Sequence, residues 1–262
     1  MPGPLRELGA KLLIPTRAAG LAGWTAVMLA AVESHRLADR RLADGGAQEQ
    51  IFERYMRRWT AGLLRMFAVD LTIVGELPPT PSGPRMIVSN HRSALDIGVL
   101  LTHFGGSLLS RADLRDWPLL GIAARQAQTI FVDREDARSG AQAIRAIREQ
   151  LQRGRTISVF PEGTTFAGDE VRPFNAGAFA AARKLGVEYV PVGVAYPPGC
   201  EFVEPSFVEH LSAVAQRPRT PVVMVVGEPQ RIEARAHAVA QQLHAEVQAL
   251  VDRARRELER LA

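Results

Sequence analysis

The chain is poor in cysteine, in lysine and in long apolar runs, and each shortage excludes something. With a single cysteine, Cys200, in 262 residues, neither an internal disulfide nor a cysteine-based metal cluster can form, which fits a reducing compartment. That lone thiol reads as a small buried hydrophobe. Only Lys11 and Lys184 are lysines among 32 basic residues, so the cationic surface is built from arginine. A net charge of +4 and a pI near 9.8 suit anionic partners such as lipid headgroups, coenzyme phosphates or nucleic acid. The longest uncharged run, Ala18 to Val32, falls short of the ~20 residues a spanning helix needs, so it is expected to dip into a bilayer rather than cross it. The Glu33, His35 and Arg36 that follow do not resemble a signal-peptide cleavage site. No Gly-x-Ser-x-Gly elbow, no phosphate-binding Gly-x-x-x-x-Gly-Lys loop, no nucleic-acid-binding module and no internal repeat is present.

What is present divides the chain in two. Residues 1–66 read as a membrane-associating pair of helices. After a turn at Asp44 to Gly46, the residues Ile51, Tyr55, Trp59, Leu63 and Met66 line one helical face, while Arg54, Arg57, Arg58 and Arg65 line the other. Such a helix suits the headgroup layer, with rings in hydrocarbon and guanidinium groups at phosphate. The plainer reading is a helix packed on the core with a solvated basic face.

Residues 67–262 alternate strand and helix signals and, with 47% apolar residues overall, can bury a full core. Strands are expected at 71–74, 86–89, 107–110, 129–132, 156–160, 189–195 and 222–226. A helix with Ala141, Ile144, Ile147 and Leu151 on its apolar side closes at Gly154. A long amphipathic helix ends the chain, and its His237 and His244 read as surface residues. The pattern is α/β, with a mainly parallel sheet flanked by helices.

Ser89 to Asp96 sits where a strand hands over to a helix. Residues five apart in a regular helix point about 140° away from each other, so His91 must precede the helix if Asp96 in its first turns is to reach it. The carboxylate would then bond Nδ1–H and leave Nε2 to take a proton. The alternative makes Ser93-x-x-Asp96 a helix-capping pair and His91 an ordinary turn residue. Three other stretches put polar groups at strand ends: Thr129 to Arg134, Ile157 to Thr165, and Tyr189 to Val194. Pro191 inside the last suggests an edge, a bulge or a strand close to a ligand.

Taken in order, Asn90-His91-x-Ser93-x-x-Asp96, Phe131-Val132-Asp133-Arg134, Phe160-Pro161-Glu162-Gly163-Thr164 and Val190-Pro191-Val192 resemble the four motifs of the glycerolipid acyltransferases, the 1-acylglycerol-3-phosphate acyltransferase superfamily. The resemblance implies that His91 is the general base on an acceptor hydroxyl and that Asp96 orients it. It implies that Arg134 binds the anionic headgroup and that Glu162, Gly163 and Thr164 hold the acceptor, with Asn90, Ser93 and Arg172 completing that site. No metal and no bound cofactor are implied. The acyl donor would be acyl-CoA or acyl-acyl carrier protein (acyl-ACP), transferred directly without an acyl-enzyme. The acceptor would be a membrane lysolipid, 1-acylglycerol-3-phosphate giving phosphatidic acid, at the cytoplasmic face of the cell membrane. Two positions depart from the pattern: Gln128 stands where the second motif usually has Gly, and Asn175 where Lys or Arg is common. Both lie near the implied headgroup site, which leaves room for another acceptor such as lyso-ornithine lipid. A non-catalytic membrane lipid-binding protein is the alternative of a different class.

Overall fold

The computed structural model describes residues 4–39, 45–111, 121, 130–132, 137–203 and 206–261. In chain order the elements are α1 (Pro4–Asp39), α2 (Gly45–Met66), β1 (Val69–Val74), β2 (Arg85–Ser89), α3 (Leu95–Phe104), β3 (Ser107–Arg111), β4 (Ile130–Val132) and α4 (Ala137–Gln152). They continue with β5 (Thr156–Val159), α5 (Gly177–Ala182), β6 (Glu188–Ala195), α6 (Phe207–Ala215), β7 (Thr220–Val226), β8 (Gln230–Arg231) and α7 (Ala236–Leu261). The seven expected strands are all there. The two-residue β8 and the short helices α5 and α6 are additions, too brief to leave a periodic signal.

The strands form one sheet in the order β1-β7-β6-β2-β5-β3-β4, with β8 beside β6. Pairing is parallel except where β6 meets β7 and β8, so the sheet is mixed. The period-two alternation of a strand sorts side chains to two cores. Met86 and Val88 face a layer built on α4, α5 and α7, whereas Ile87 faces one built on α3 and α6. Every residue of β2 is buried, which is why it reads as a continuous apolar run.

Three expectations need correction. First, of the three readings of Pro191 the edge is excluded, because β6 is an interior strand. The proline falls between Tyr189, the last residue paired with β8, and Val192, the first paired with β7, so the missing N–H interrupts no pair on that side. Second, α4 buries Ala143, Ile147 and Leu151, while Ala141 and Ile144 are exposed. Both sets share Ile147 and Leu151 and obey helical spacing; the sheet takes the face that carries Ala143 rather than Ala141 and Ile144. Third, α1 far outruns its uncharged run: Leu12–His35 is 24 residues long and apolar enough, by length and composition, to cross a membrane.

That helix is nonetheless tied to the rest of the molecule along its length. Trp24 Nε1 donates to the Trp59 carbonyl at 3.0 Å, Trp59 Nε1 to Thr25 Oγ1 at 3.0 Å, and His35 Nδ1 meets the Tyr55 hydroxyl at 3.2 Å. The buried Arg17 donates to the Ala215 and Arg217 carbonyls, 2.9 and 2.8 Å away, at the end of α6. In turn α2 packs on α3 through Leu64 and Phe67. Arg57, expected among the solvent-facing arginines, instead donates to the His103 carbonyl at 2.8 Å and so caps α3. Arg54, Arg58 and Arg65 are exposed. The boundary drawn at residue 66 therefore runs through a packed interface.

Gly193 marks the closest approach of helix to sheet. A Cβ there would lie 2.4 Å from the backbone of Leu250 and Val251 in α7. Gly193→Ala is expected to push α7 off β6 and to cost about 1–3 kcal/mol, read as a fall in Tm of roughly 2–4 °C per kcal/mol. An unchanged Tm would show that this contact does not constrain the fold.

Candidate active site

The site assembles at the carboxyl ends of three adjacent parallel strands, the edge at which α/β sheets bind ligands. His91 follows β2, Glu162 follows β5 and Tyr196 follows β6. Asn90 locks the first exit in place. Its amide donates to the Val194 carbonyl and accepts from the Val194 N–H, both at 2.9 Å, so the side chain continues the β2–β6 ladder by one step.

His91 Nδ1 lies 2.8 Å from Asp96 Oδ2. The same oxygen accepts the backbone N–H groups of Arg92 at 2.7 Å and Ser93 at 2.9 Å. The other oxygen, Oδ1, accepts the Tyr196 hydroxyl at 2.5 Å. A buried carboxylate surrounded by donors can only accept, so Nδ1 carries the hydrogen, and in the neutral imidazole Nε2 carries the lone pair. Among the described residues Nε2 has no hydrogen-bond partner. The imidazole is 14% exposed and stacks on Phe160, ring centroids 4.0 Å apart and 11° from parallel.

The His91–Asp96 bond is formed, whereas the expected capping pair is not: the N-cap of α3 is Ala94, which offers no side-chain cap. Ser93 Oγ accepts from Leu95 N at 3.3 Å and Asp96 reaches back to Ser93 N, but the Asp96 N–H bonds the Ser93 carbonyl at 3.2 Å rather than its hydroxyl, so the reciprocal side-chain bonds of a capping box are not completed. Ser93 is buried and also meets His210 Nε2 at 3.2 Å, and that nitrogen takes the Ala94 N–H at 3.1 Å.

Glu162 is buried with Arg92. Arg92 Nη1 contacts both carboxylate oxygens, at 2.8 and 3.1 Å, and the carboxylate also accepts from His91 N and Arg172 N, each at 2.8 Å. Arg92 further donates to the Gly168 and Glu170 carbonyls, 2.6 and 2.8 Å away. One guanidinium therefore fixes the loop after β5 against the loop after β2. Gly163 turns in the left-handed region, φ +83°, where a side chain would be strained. Thr164 is exposed beside it. Arg172 is exposed, pairs with Glu170 at 3.2 Å and lies over the Phe166 ring at 5.3 Å. Asn175 Nδ2 donates to the Pro161 carbonyl at 3.0 Å. Arg134 and Gln128 lie outside the described residues.

From the far side, α7 holds the same loop. Gln248 accepts from Val171 N at 2.7 Å and donates to the Asp169 carbonyl at 3.1 Å. His244, read from sequence as a surface residue, is half-buried and bonds the Val171 carbonyl at 2.9 Å. Arg255 grips Asp169 through two bonds, of 2.6 and 2.7 Å. Sequence reasoning missed Arg92, Tyr196 and this helix face. The one available signal was a phenol closing the apolar run of β6.

Burial, and then the Asp96 charge, hold the Tyr196 phenol well above its ordinary pKa. Burial pushes the Cys200 thiol up to about 11. Among the described residues no three His, Cys, Asp or Glu side chains gather as a metal would need.

Comparison with known proteins agrees with this architecture. A family model described as Acyltransferase matches residues 69–195. A lyso-ornithine lipid O-acyltransferase of Pseudomonas aeruginosa is 34% identical over 187 residues, covering 71% of this chain and 70% of that protein. A 1-acyl-sn-glycerol-3-phosphate acyltransferase of Neisseria meningitidis is 31% identical over 153 residues, 58% of this chain and 59% of that one. The chain belongs to the acyltransferase family, within its glycerolipid superfamily. The crystal structure of the 1-acyl-sn-glycerophosphate acyltransferase PlsC from Thermotoga maritima shares the fold, with a TM-score of 0.73 at 19% identity over 95% of this chain and 96% of that one.

Arg92→Met would leave the Glu162 carboxylate buried without its cation, a loss expected to cost about 3–5 kcal/mol. Urea unfolding measures it, and hydrogen exchange should show amides 168–172 opening first. Adding Glu162→Gln should recover part of the loss. A cost below about 1 kcal/mol, the range of an exposed pair, would show that the two do not form a buried unit.

Proposed function

We propose that this protein transfers a fatty acyl group from an acyl thioester, acyl-CoA or acyl-ACP, to the hydroxyl of a membrane lysolipid, with His91 as general base. The observation that carries the reading is the His91–Asp96 bond, which in the neutral imidazole puts the hydrogen on Nδ1 and the lone pair on Nε2, a nitrogen without a partner among the described residues. Nε2 takes the acceptor's proton as its oxygen bonds to the thioester carbonyl carbon. Asp96 stabilises the imidazolium. Collapse of the adduct breaks the C–S bond, and the proton passes from His91 to the departing thiolate. A base of this kind is worth about 10²- to 10⁴-fold, roughly 3–5 kcal/mol of barrier.

Direct transfer is favoured over an acyl-enzyme. Ser93 is buried and engaged with Leu95 and His210, and Cys200 is buried with a thiol scarcely ionised near neutral pH. A lipid-binding protein without turnover would have no use for an oriented base.

The first acceptor to test is 1-acylglycerol-3-phosphate, with Arg134 as ligand to its phosphate. A second, lyso-ornithine lipid, is favoured by the exposed Glu170–Arg172 pair and the neutral Asn175 beside the site. Ornithine offers an ammonium and a carboxylate, and this pair offers one partner for each.

Attachment to the membrane is read as monotopic, on the cytoplasmic leaflet. The exposed Leu12, Val27 and Leu37 of α1 would enter hydrocarbon, and Arg54, Arg58 and Arg65 would meet anionic lipid. The bond from Arg17 to the end of α6 supports a helix lying against the catalytic layer rather than crossing.

Full-length protein given labelled acyl-CoA or acyl-ACP and a panel of lysolipids tests activity and headgroup together. His91→Ala is expected to abolish transfer without unfolding the chain, and residual activity above about a tenth of wild type would remove His91 as base. Reversing Arg54, Arg58 and Arg65 to Glu should weaken sedimentation with anionic vesicles by about 1 kcal/mol per well-placed charge and leave neutral vesicles unaffected. Equal loss on both would point to misfolding instead.

A further inference from the structure

Asp96 holds His91 through one oxygen, and the other oxygen has a partner that none of the four motifs contains. Tyr196 lies one residue beyond β6 and is 2% exposed, with its hydroxyl 2.5 Å from Asp96 Oδ1. The three donors on Oδ2 are His91 itself and two backbone N–H groups. Among the described residues Tyr196 is therefore the one side chain besides His91 that bonds this carboxylate.

The phenol is fixed in turn. The Tyr196 carbonyl accepts from Arg255 Nη2 at 2.8 Å, and the same guanidinium grips Asp169 in the loop that carries Glu162. With both of its oxygens engaged, the carboxylate plane cannot rotate about Asp96 Cβ–Cγ. A hydroxyl on Oδ1 also draws negative charge away from Oδ2, where the imidazolium would form.

We propose that Tyr196 is a positioning residue for acyl transfer, acting through Asp96 to fix the orientation of His91 and to set its basicity. This rests on the reading of His91 as the base.

The sign follows from charge sharing. Without the phenol, Oδ2 is more negative and stabilises the imidazolium more, so His91 holds its proton to higher pH. A more acidic phenol does the reverse. The charged and titratable groups around the unit are Asp96 from α3, Cys200 beyond β6, Arg255 from α7 at the Tyr196 carbonyl, Glu162 balanced by Arg92 at the His91 N–H, and His210 from α6 behind Ser93. Of these, His210 is the other group whose ordinary range overlaps that of His91. A His210→Gln background identifies its share of the profile.

The test uses full-length protein on mixed vesicles with labelled acyl-CoA or acyl-ACP and the lysolipid that supports turnover. Tyr196→Phe is expected to lower kcat about ten- to hundred-fold, the worth of a hydrogen bond to a charged group expressed as rate. The lysolipid KM should stay within about twofold, as for an interaction that matters in the transition state, and the acid limb of kcat should move to higher pH. Replacing Tyr196 with 3-fluorotyrosine and then 3,5-difluorotyrosine keeps the shape and strengthens the donor, so the limb should move stepwise to lower pH. Burial and the Asp96 charge raise the Tyr196 phenol's pKa well above its ordinary value, which opposes its ionisation.

A lower Tm with kcat and the acid limb unchanged would make the contact purely structural and overturn the proposal. If Tyr196→Phe does not fold, the fluorinated pair decides alone, and no shift across it overturns the proposal equally. An inert Tyr196 series beside a dead His91→Ala removes only the role of Tyr196. A His91→Ala protein that still turns over removes the base and this inference with it.

Discussion

The architecture around the site depends on one buried carboxylate. Asp96 is completely inaccessible, yet it accepts four hydrogen bonds that come from the strand exit, the helix start and the end of a neighbouring strand. An ionised carboxylate in such a place is tolerable only with nearly every lone pair occupied. The geometry is consequently over-determined. The turn 91–93 must bring two amides to one oxygen, and β6 must end where a phenol reaches the other. Orientation of the imidazole is then a by-product of satisfying a buried charge.

A second buried charge organises the opposite wall. Arg92 and Glu162 neutralise one another, and their remaining donors and acceptors reach backbone groups on both loops, from His91 N to the Glu170 carbonyl. The two units share the peptide between His91 and Arg92: Arg92 N belongs to the Asp96 network, while His91 N and the Arg92 side chain belong to that of Glu162. A disturbance in either is transmitted to the other through one residue. This makes the exit of β2 rigid although no regular structure covers it.

The parts of this arrangement visible in the sequence are those whose evidence is local. The strands announce themselves because Val, Ile and Leu runs bounded by Gly, Pro and charge have few other uses. His91 and Asp96 are five residues apart, so elementary helix geometry was enough to relate them. Tyr196 meets Asp96 across 100 residues, and nothing in its neighbours predicts that meeting. The continuity of α1 was hidden by Arg17, which reads as an interruption until its partners, the terminal carbonyls of α6 about 200 residues away, are known. Arg57 was grouped with the outward-facing arginines for a similar reason: its acceptors are backbone carbonyls on another helix. Of the readings Pro191 allowed, the edge fails because the rule that confines proline to edges presumes a complete ladder, and β6 changes partner at that residue.

The grip of α7 on the loop bearing Glu162 also has a meaning in time. His244, Gln248 and Arg255 lie 73 to 86 residues downstream of the groups they hold. Synthesis runs from the N-terminus, so α1, α2 and the exit of β2 that bears His91 emerge well before those three side chains exist. The loop bearing Glu162 thus gains its outer support only after the ribosome has delivered α7, and a polypeptide halted before residue 244 would lack all three side chains that hold it.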